Sequence, residues 1–190
     1  NQIVAIKHQD QPGNFAVPGD FALLFGLYRD ANAVDKAFAI IDAGLAKFPE
    51  NLAFHTAACD YAIKQQKLAR AESYLQGLSA INDTLEVNTA LQSRFLHASG
   101  KPAEAKDAVQ ELLLTATAED KNDNERRIVR LACASIYEQI EANDEAEALL
   151  IALIQGSEVS KKPLIGFYLR QHRPNEALEV ALAQNTSDMS

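Results

Sequence analysis

Histidine and cysteine, the residues that most often carry chemistry, are few in this chain of 190 residues. The four histidines are His8, His55, His97 and His172, and none is spaced like the paired ligands of a zinc-binding HExxH helix. We therefore expect the histidines to have surface or core roles rather than to bind a metal.

The two cysteines, Cys59 and Cys133, are predicted to be free, buried thiols. In the repeat pattern described below their helices lie two repeats apart, which places the sulfur atoms roughly 20 Å from each other at about 10 Å per helix layer. A disulfide needs Cα atoms within about 7 Å of each other. Unbridged cysteines favour a reducing compartment, so we favour a cytoplasmic location over a periplasmic one, which buried thiols also tolerate.

Segment 120–124 has the acidic spacing of the first half of a calcium-binding loop. The sixth position of that loop is Glu125 instead of glycine and the twelfth is Leu131 instead of glutamate, so an inter-repeat loop that ends in an N-cap residue is the better interpretation. The chain also has no GxxxxGK(S/T), GxGxxG or GxSxG motif. We therefore predict no cofactor, no metal and no enzymatic activity.

The charge of the chain narrows the class of partner. With 18 basic against 26 acidic residues the formal net charge is -8, which repels phosphate backbones and anionic lipid headgroups. No apolar run approaches the roughly 20 residues needed to cross a bilayer. The basic residues cluster only at Arg126, Arg127 and Arg130, with an extension at Lys161, Lys162, Arg170 and Arg173. Because neighbouring acidic residues are expected to neutralise this cluster, we predict a protein or peptide partner, with no nucleic acid and no membrane insertion.

The elements that position these residues are predicted to be helices. Alanine and leucine dominate, and apolar residues recur at three- and four-residue steps, as in Phe21, Leu24, Phe25 and Tyr28. The short polar segment 29–32 separates this helix from the next, so the two are expected to form a hairpin. The pattern then recurs, with equivalent alanines 34, 34, 41 and 31 residues apart at Ala37, Ala71, Ala105, Ala146 and Ala177.

A 34-residue period with a small residue at the helix crossing resembles the tetratricopeptide repeat. The first unit carries this resemblance best, because positions 4, 7, 11, 20, 24, 27 and 32 of the family pattern are Phe21, Leu24, Tyr28, Ala37, Ile41, Gly44 and Pro49. Phe25 departs from the pattern, since the family prefers a small residue there, and later units lose the proline at position 32. The resemblance implies an all-α, right-handed α-solenoid of about five helix-turn-helix repeats, whose first helices line a concave groove.

We place the repeats at about residues 18–51, 52–85, 86–119, 127–157 and 158–184. Residues 1–17 form an N-terminal extension, for which a cap on the first hairpin is preferred over the end of an upstream domain or a tail lying in the groove. Residues 185–190 form a C-terminal tail. Because the sequence does not begin with methionine, we expect a processed product or a fragment of a longer chain.

In the tetratricopeptide family, positions 2, 5, 9, 12 and 13 of each first helix line the groove. Transferred to this chain, these positions predict a partner-binding surface made of Arg29, Asp30, Thr56, Asp60, Lys64, Arg94, His97, Glu138 and Gln139, with Val87, Ile128, Leu131 and Ser135 as further members. The carboxylate clamp of the chaperone-binding subfamily is not expected, because Ala22, Gly26 and Ala57 stand where it needs lysine and asparagine.

These observations predict a non-catalytic protein-interaction module, a scaffold or adaptor that binds an extended or helical segment of a partner protein in the groove. One alternative is an architectural section of a larger repeat or multidomain protein. The other is an adaptor of the kind formed by bacterial secretion and assembly chaperones, some of which are also small acidic helical-repeat proteins.

Overall fold

The computed structural model describes residues 17–81, 85–115, 122–155 and 160–183. Within these ranges the chain forms ten α-helices and no strand, and 84% of the described residues are helical. The predicted all-α class is therefore confirmed. The contacts divide the chain into two compact units, Asn1–Thr84 and Leu85–Ser190, which are described separately as unit 1 and unit 2.

The described residues of unit 1 form two helical hairpins. Its helices are α1 (Pro18–Asp30), α2 (Val34–Lys47), α3 (Leu52–Lys64) and α4 (Leu68–Ile81). Helix α1 packs on α2, α3 packs on α4, and α2 packs on α3, so the two hairpins lie side by side. Asn51 begins the second hairpin as an N-cap, because its side-chain oxygen accepts a hydrogen bond of 3.0 Å from the Phe54 N–H.

Three further hairpins are described in unit 2. Its helices are α5 (Leu85–Ala98), α6 (Pro102–Thr115), α7 (Asp123–Gln139), α8 (Asn143–Gln155), α9 (Lys162–Arg170) and α10 (Pro174–Leu182). Consecutive helices pair as hairpins, α5 and α6 both contact α7, and α8 contacts α9. The fourth repeat was predicted to begin at about residue 127, but helix α7 begins four residues earlier, at Asp123. Asn122 and Glu125 form a capping box at this N-terminus, which fixes the start of the helix.

All five described hairpins turn in the same way. Each turn holds one residue in the left-handed region, with φ between 53° and 78°, and these residues are Asn32, Gln66, Gly100, Glu141 and His172. The N–H that follows donates to the carbonyl oxygen five residues earlier at 2.8–2.9 Å, as from Ala33 to Tyr28. This is the Schellman closure of a helix C-terminus. The repeated backbone geometry is independent evidence that the chain is built from equivalent hairpins.

The recurring alanines mark the closest packing within this pattern. Ala37, Ala71, Ala105 and Ala146 are fully buried and Ala177 is 4% exposed. A methyl side chain at these places lets neighbouring helix backbones approach closely. The core of unit 1 is aromatic, with Phe21 packed edge-on against Phe48 and Phe54 at centroid distances of 6.0 and 6.2 Å.

The structure thus supports an all-α repeat of helical hairpins. The right-handed superhelix and membership of the tetratricopeptide family stay predictions. Apart from Val17, the predicted extension over residues 1–17 lies outside the described residues, and so does the predicted tail over residues 185–190.

Candidate interaction surface

The predicted groove residues of unit 1 form pairs within single helices. Arg29 and Asp30, at the end of α1, are exposed and joined by a 2.8 Å ion pair. On α3, Lys64 pairs with Asp60 one turn earlier, also at 2.8 Å, and Thr56 is half-buried. Exposed pairs within one helix contribute only about 0.3–0.5 kcal/mol. A binding partner can therefore displace these ion pairs with only a small loss of free energy.

The predicted groove residues of unit 2 lie on α5 and α7. Arg94 is half-buried on α5, and the His97 Nε2 atom lies 4.0 Å from the carboxylate of Glu141. The Gln139 amide donates to Ser135 Oγ at 3.3 Å within α7. Arg94 and His97 are half-buried, and Gln139 is exposed.

Glu138, another of the predicted residues, joins two helices. Its carboxylate accepts two hydrogen bonds of 2.8 Å from the Arg170 guanidinium on α9, a bidentate ion pair. The hydrogen bonds from Arg170 hold the pKa of Glu138 below its ordinary value, although burial opposes the shift. Arg170 belongs to the predicted basic cluster, and its pairing with Glu138 was not predicted because 32 residues separate the two partners.

A cleft opens between α7 and α9 beside this ion pair. Four residues at successive three- and four-residue steps of α7 form one wall, and α9 and α8 provide the rest. The α7–α9 cleft has a volume of about 160 Å³ and is lined by Leu131, Ala134, Ser135, Glu138, Leu150, Lys162, Pro163 and Arg170. Leu131 and Ser135 both line this cleft, and its apolar side chains lie between the Glu138–Arg170 ion pair and Lys162.

Of the two positively charged residues that line the α7–α9 cleft, Lys162 is the one that is not paired with a described acidic side chain. It is exposed at the first residue of α9 and makes no ion pair with any residue in the described ranges. Arg170 at the other end of α9 is held by Glu138. The cleft can thus offer an apolar contact and one accessible positive charge.

A second cavity in unit 2, of about 350 Å³, lies between α6, α7 and α8. Its walls are Leu113, Leu114, Leu149, Ala152 and Leu153, with Gln110 and Arg130 as polar members. The described ranges stop at residues 115 and 155, where two of its wall helices end. We assign no function to this cavity.

Each unit holds a tyrosine, a carboxylate and an arginine that connect successive hairpins. In unit 1, the carboxylate of Asp42 on α2 accepts hydrogen bonds from the Tyr74 hydroxyl and from Arg70 on α4. The Arg70 guanidinium also lies over the Phe38 ring, 4.7 Å from its centroid. Burial, with the bond to Asp42, raises the pKa of Tyr74 to about 12.

In unit 2 the equivalent connection runs from α8 to the last hairpin. The carboxylate of Glu147 accepts hydrogen bonds from the Tyr168 hydroxyl at 2.7 Å and from Arg173 at 2.5 and 3.1 Å. The bonds from Arg173 lower the pKa of Glu147. Burial and the bond to Glu147 raise the pKa of Tyr168 to about 12. These networks join hairpin to hairpin.

The Glu147 connection predicts a loss of stability in acid. Its folded-state pKa lies below the ordinary value of 4.5, so it stabilises the folded chain above that pH and the contribution disappears as pH falls further. We expect the unfolding free energy of the parent chain to fall more steeply below about pH 4.5 than that of Glu147→Gln, measured by urea titration at each pH. Glu111→Gln, at an exposed position of α6, controls for net charge and should follow the parent. Parallel curves for the parent chain and Glu147→Gln would contradict this assignment.

Within the described ranges the residues that most often carry chemistry are dispersed. No group of three or more His, Cys, Asp and Glu side chains is arranged to hold a metal ion. Cys59 and Cys133 are buried free thiols, as predicted, and burial raises the pKa of Cys133 to about 12. His55 is buried, with its Nε2 atom 2.8 Å from the Pro49 carbonyl oxygen. Across the same residues no helix is long and apolar enough to cross a bilayer.

No protein-family model, no curated protein and no solved structure matches this chain. The function is therefore argued from the geometry of the α7–α9 cleft and the surfaces around it.

Proposed function

We propose that this chain is a non-catalytic protein-interaction module that binds a segment of a partner protein along α7 and α9. The observation that carries the proposal is the α7–α9 cleft, in which apolar side chains lie between the Glu138–Arg170 ion pair and Lys162. Ile128, one turn before Leu131 on α7, is 53% exposed and extends the apolar strip beyond the cleft. A strip of this kind fits an extended or helical segment better than an isolated small ligand.

The size of the cleft supports a peptide side chain as its occupant. Sites for small molecules and cofactors usually enclose about 300–1,000 Å³, whereas this cleft has about 160 Å³. An apolar side chain of the partner would remove the half-buried Leu131 and Pro163 from water, and Lys162 would pair with an acidic group beside it. Glu138 and Arg170 already neutralise each other and satisfy each other's hydrogen bonds. Their ion pair would therefore help to position the bound segment without requiring a charged group on the partner.

A pulldown with the purified chain first identifies a partner protein. Binding of that partner is then compared between the parent chain and variants of the α7–α9 cleft. Ser135→Arg places a bulky side chain in the cleft wall from an exposed position, without removing a core residue. We expect it to weaken binding of the captured partner at least tenfold, about 1.4 kcal/mol, in a calorimetric titration.

Ala148→Arg is the matched control, because it adds the same side chain at an exposed position of α8. It should leave the dissociation constant unchanged, and both variants should keep the helicity of the parent. A partner that binds Ser135→Arg as tightly as the parent chain would exclude the α7–α9 cleft as the binding surface.

A second candidate function, an architectural section within a larger array of repeats, is favoured by a different observation. Leu178 and Leu182 lie four residues apart on α10, the last described helix, and are 58% and 56% exposed. An end helix with a polar surface would need no neighbour, whereas this one leaves apolar area in water.

A further inference from the structure

The α7–α9 cleft is neutral at one end and positively charged at the other. Glu138 pairs with Arg170 at the C-terminal end of α9. Leu131 lies about two turns before Glu138, and Lys162 lies about two turns before Arg170. Because all four residues line one small cleft, the two helices run in the same direction, and Lys162 lies at the end away from the ion pair.

Arg127 adds a second cation at the same end. It is exposed and lies one turn before Leu131, on the face of α7 that forms the cleft wall. Its guanidinium donates a hydrogen bond of 2.5 Å to the side-chain oxygen of Asn124, which carries no charge, and it makes no ion pair with another described residue. The exposed Ile128 is its neighbour in the chain. This end of the cleft therefore presents two cations beside apolar side chains.

The acidic residues at the start of α7 leave the charge of Arg127 available. The sequence predicts that acidic neighbours neutralise the basic cluster, and here Asp123 faces Arg126, with 3.7 Å between the charged atoms. The Glu125 carboxylate accepts a hydrogen bond from the Asn122 N–H in the capping box. Neither carboxylate pairs with Arg127, so a partner can supply the missing negative charge.

We propose that the segment bound in the α7–α9 cleft is acidic, with one apolar side chain between the helices and Asp or Glu side chains beside Lys162 and Arg127. The inference rests on the proposed function and names the chemistry of its partner. The net charge of -8 repels long polyanions. A short acidic segment meets mainly the local charges, because salt screens interactions beyond about 8 Å at physiological ionic strength.

Three synthetic peptides of about 12 residues are the probes. As a helix such a peptide is about 18 Å long, which covers the roughly 17 Å from Arg127 to Glu138 along α7. Each peptide carries one central leucine, flanked by glutamate, glutamine or lysine residues. In fluorescence anisotropy titrations with the full chain, the glutamate peptide should bind at least tenfold more tightly than the glutamine peptide. The lysine peptide should bind most weakly, and the differences should shrink at about 1 M salt.

Reversing the two charges of the cleft should reverse this preference. The double variant Arg127→Glu with Lys162→Glu should bind the lysine peptide more tightly than the glutamate peptide. The double variant Lys36→Glu with Lys67→Glu is the matched control, because it changes the net charge equally at exposed positions of unit 1. It should keep the preference of the parent chain for the glutamate peptide. Circular dichroism of each variant checks that helicity is retained.

Ser135→Arg separates this inference from the proposed function. It obstructs the cleft but adds a positive charge, so a fall of at least tenfold in affinity for the glutamate peptide would report the obstruction. If the glutamate and glutamine peptides bind the parent equally and both bind Ser135→Arg weakly, the acidic partner is overturned and the cleft remains the binding surface. The inference is also overturned if the glutamate peptide does not bind at about 1 mM, or if the charge-reversed variant still prefers it. The proposed function instead fails if a partner captured by pulldown binds Ser135→Arg as tightly as the parent chain.

Discussion

Phe167→Ala is expected to lower the unfolding free energy by about 3–5 kcal/mol, a large part of the stability of an ordinary domain. Phe167 lies in the middle of α9, is fully inaccessible to water and packs beside Tyr168 with ring centroids 5.7 Å apart. Helix α9 has only nine residues, so few other contacts can compensate for the cavity. Urea-induced unfolding followed by circular dichroism measures the loss.

Leu169→Ala is the matched control for this prediction. Leu169 lies two residues further along α9 and is 55% exposed, so its truncation should change the unfolding free energy by less than about 0.5 kcal/mol. Hydrogen exchange should show that Phe167→Ala loosens α9 and α10 first, because hairpins in a repeat depend on their neighbours. Equal losses for the two variants would mean that α9 does not pack as described.

Two helical glycines are expected to respond in opposite directions to the same substitution. Gly26 lies within α1 with no atom within 4 Å of the Cβ that alanine would add. Gly77 lies within α4, where that Cβ would stand 2.6 Å from Cε1 of the buried His55 ring. Gly26→Ala should stabilise the chain by about 1 kcal/mol through helix propensity. Gly77→Ala should destabilise it by about 1 kcal/mol, because overpacking costs about 1–3 kcal/mol and exceeds that gain.

Chemical denaturation of both variants tests this pair, and a double-mutant cycle isolates the cause. His55 is held by its hydrogen bond to the Pro49 carbonyl, so its ring cannot move aside freely. In a His55→Ala background the clash is removed, and Gly77→Ala should then stabilise as Gly26→Ala does. If Gly77→Ala stabilises the chain with His55 present, the close contact between α3 and α4 is wrong.

The periodic parts of the fold were accessible from the sequence. Apolar residues at three- and four-residue steps predicted helices, and the alanines from Ala37 to Ala177 predicted where hairpins cross. The first signal depends on residues within one or two turns of the same helix, and the second is a recurrence along the chain, so neither requires a contact in space. The buried, unbridged state of Cys59 and Cys133 followed from the same register.

Residues far apart in the chain were paired only by the tertiary structure. Glu138 was predicted as a groove residue from its position alone, and its bidentate bond to Arg170 depends on how α7 lies against α9. The left-handed turns at Gln66 and Glu141 have no local signal, because neither residue type favours positive φ. Packing of the hairpin requires that conformation and compensates for its strain.

Residue type and spacing alone specify a series of helical hairpins and the register within each. Which of the equivalent positions are covered depends on the packing of the hairpins. Leu27 and Tyr61 occupy the same place in the repeat, yet one is 46% exposed and the other 4%. Tyr61 is covered because the rings of Phe25 and Phe38 in the preceding hairpin lie 5.3 and 5.0 Å from its ring. Residue type and spacing do not record such a contact between hairpins.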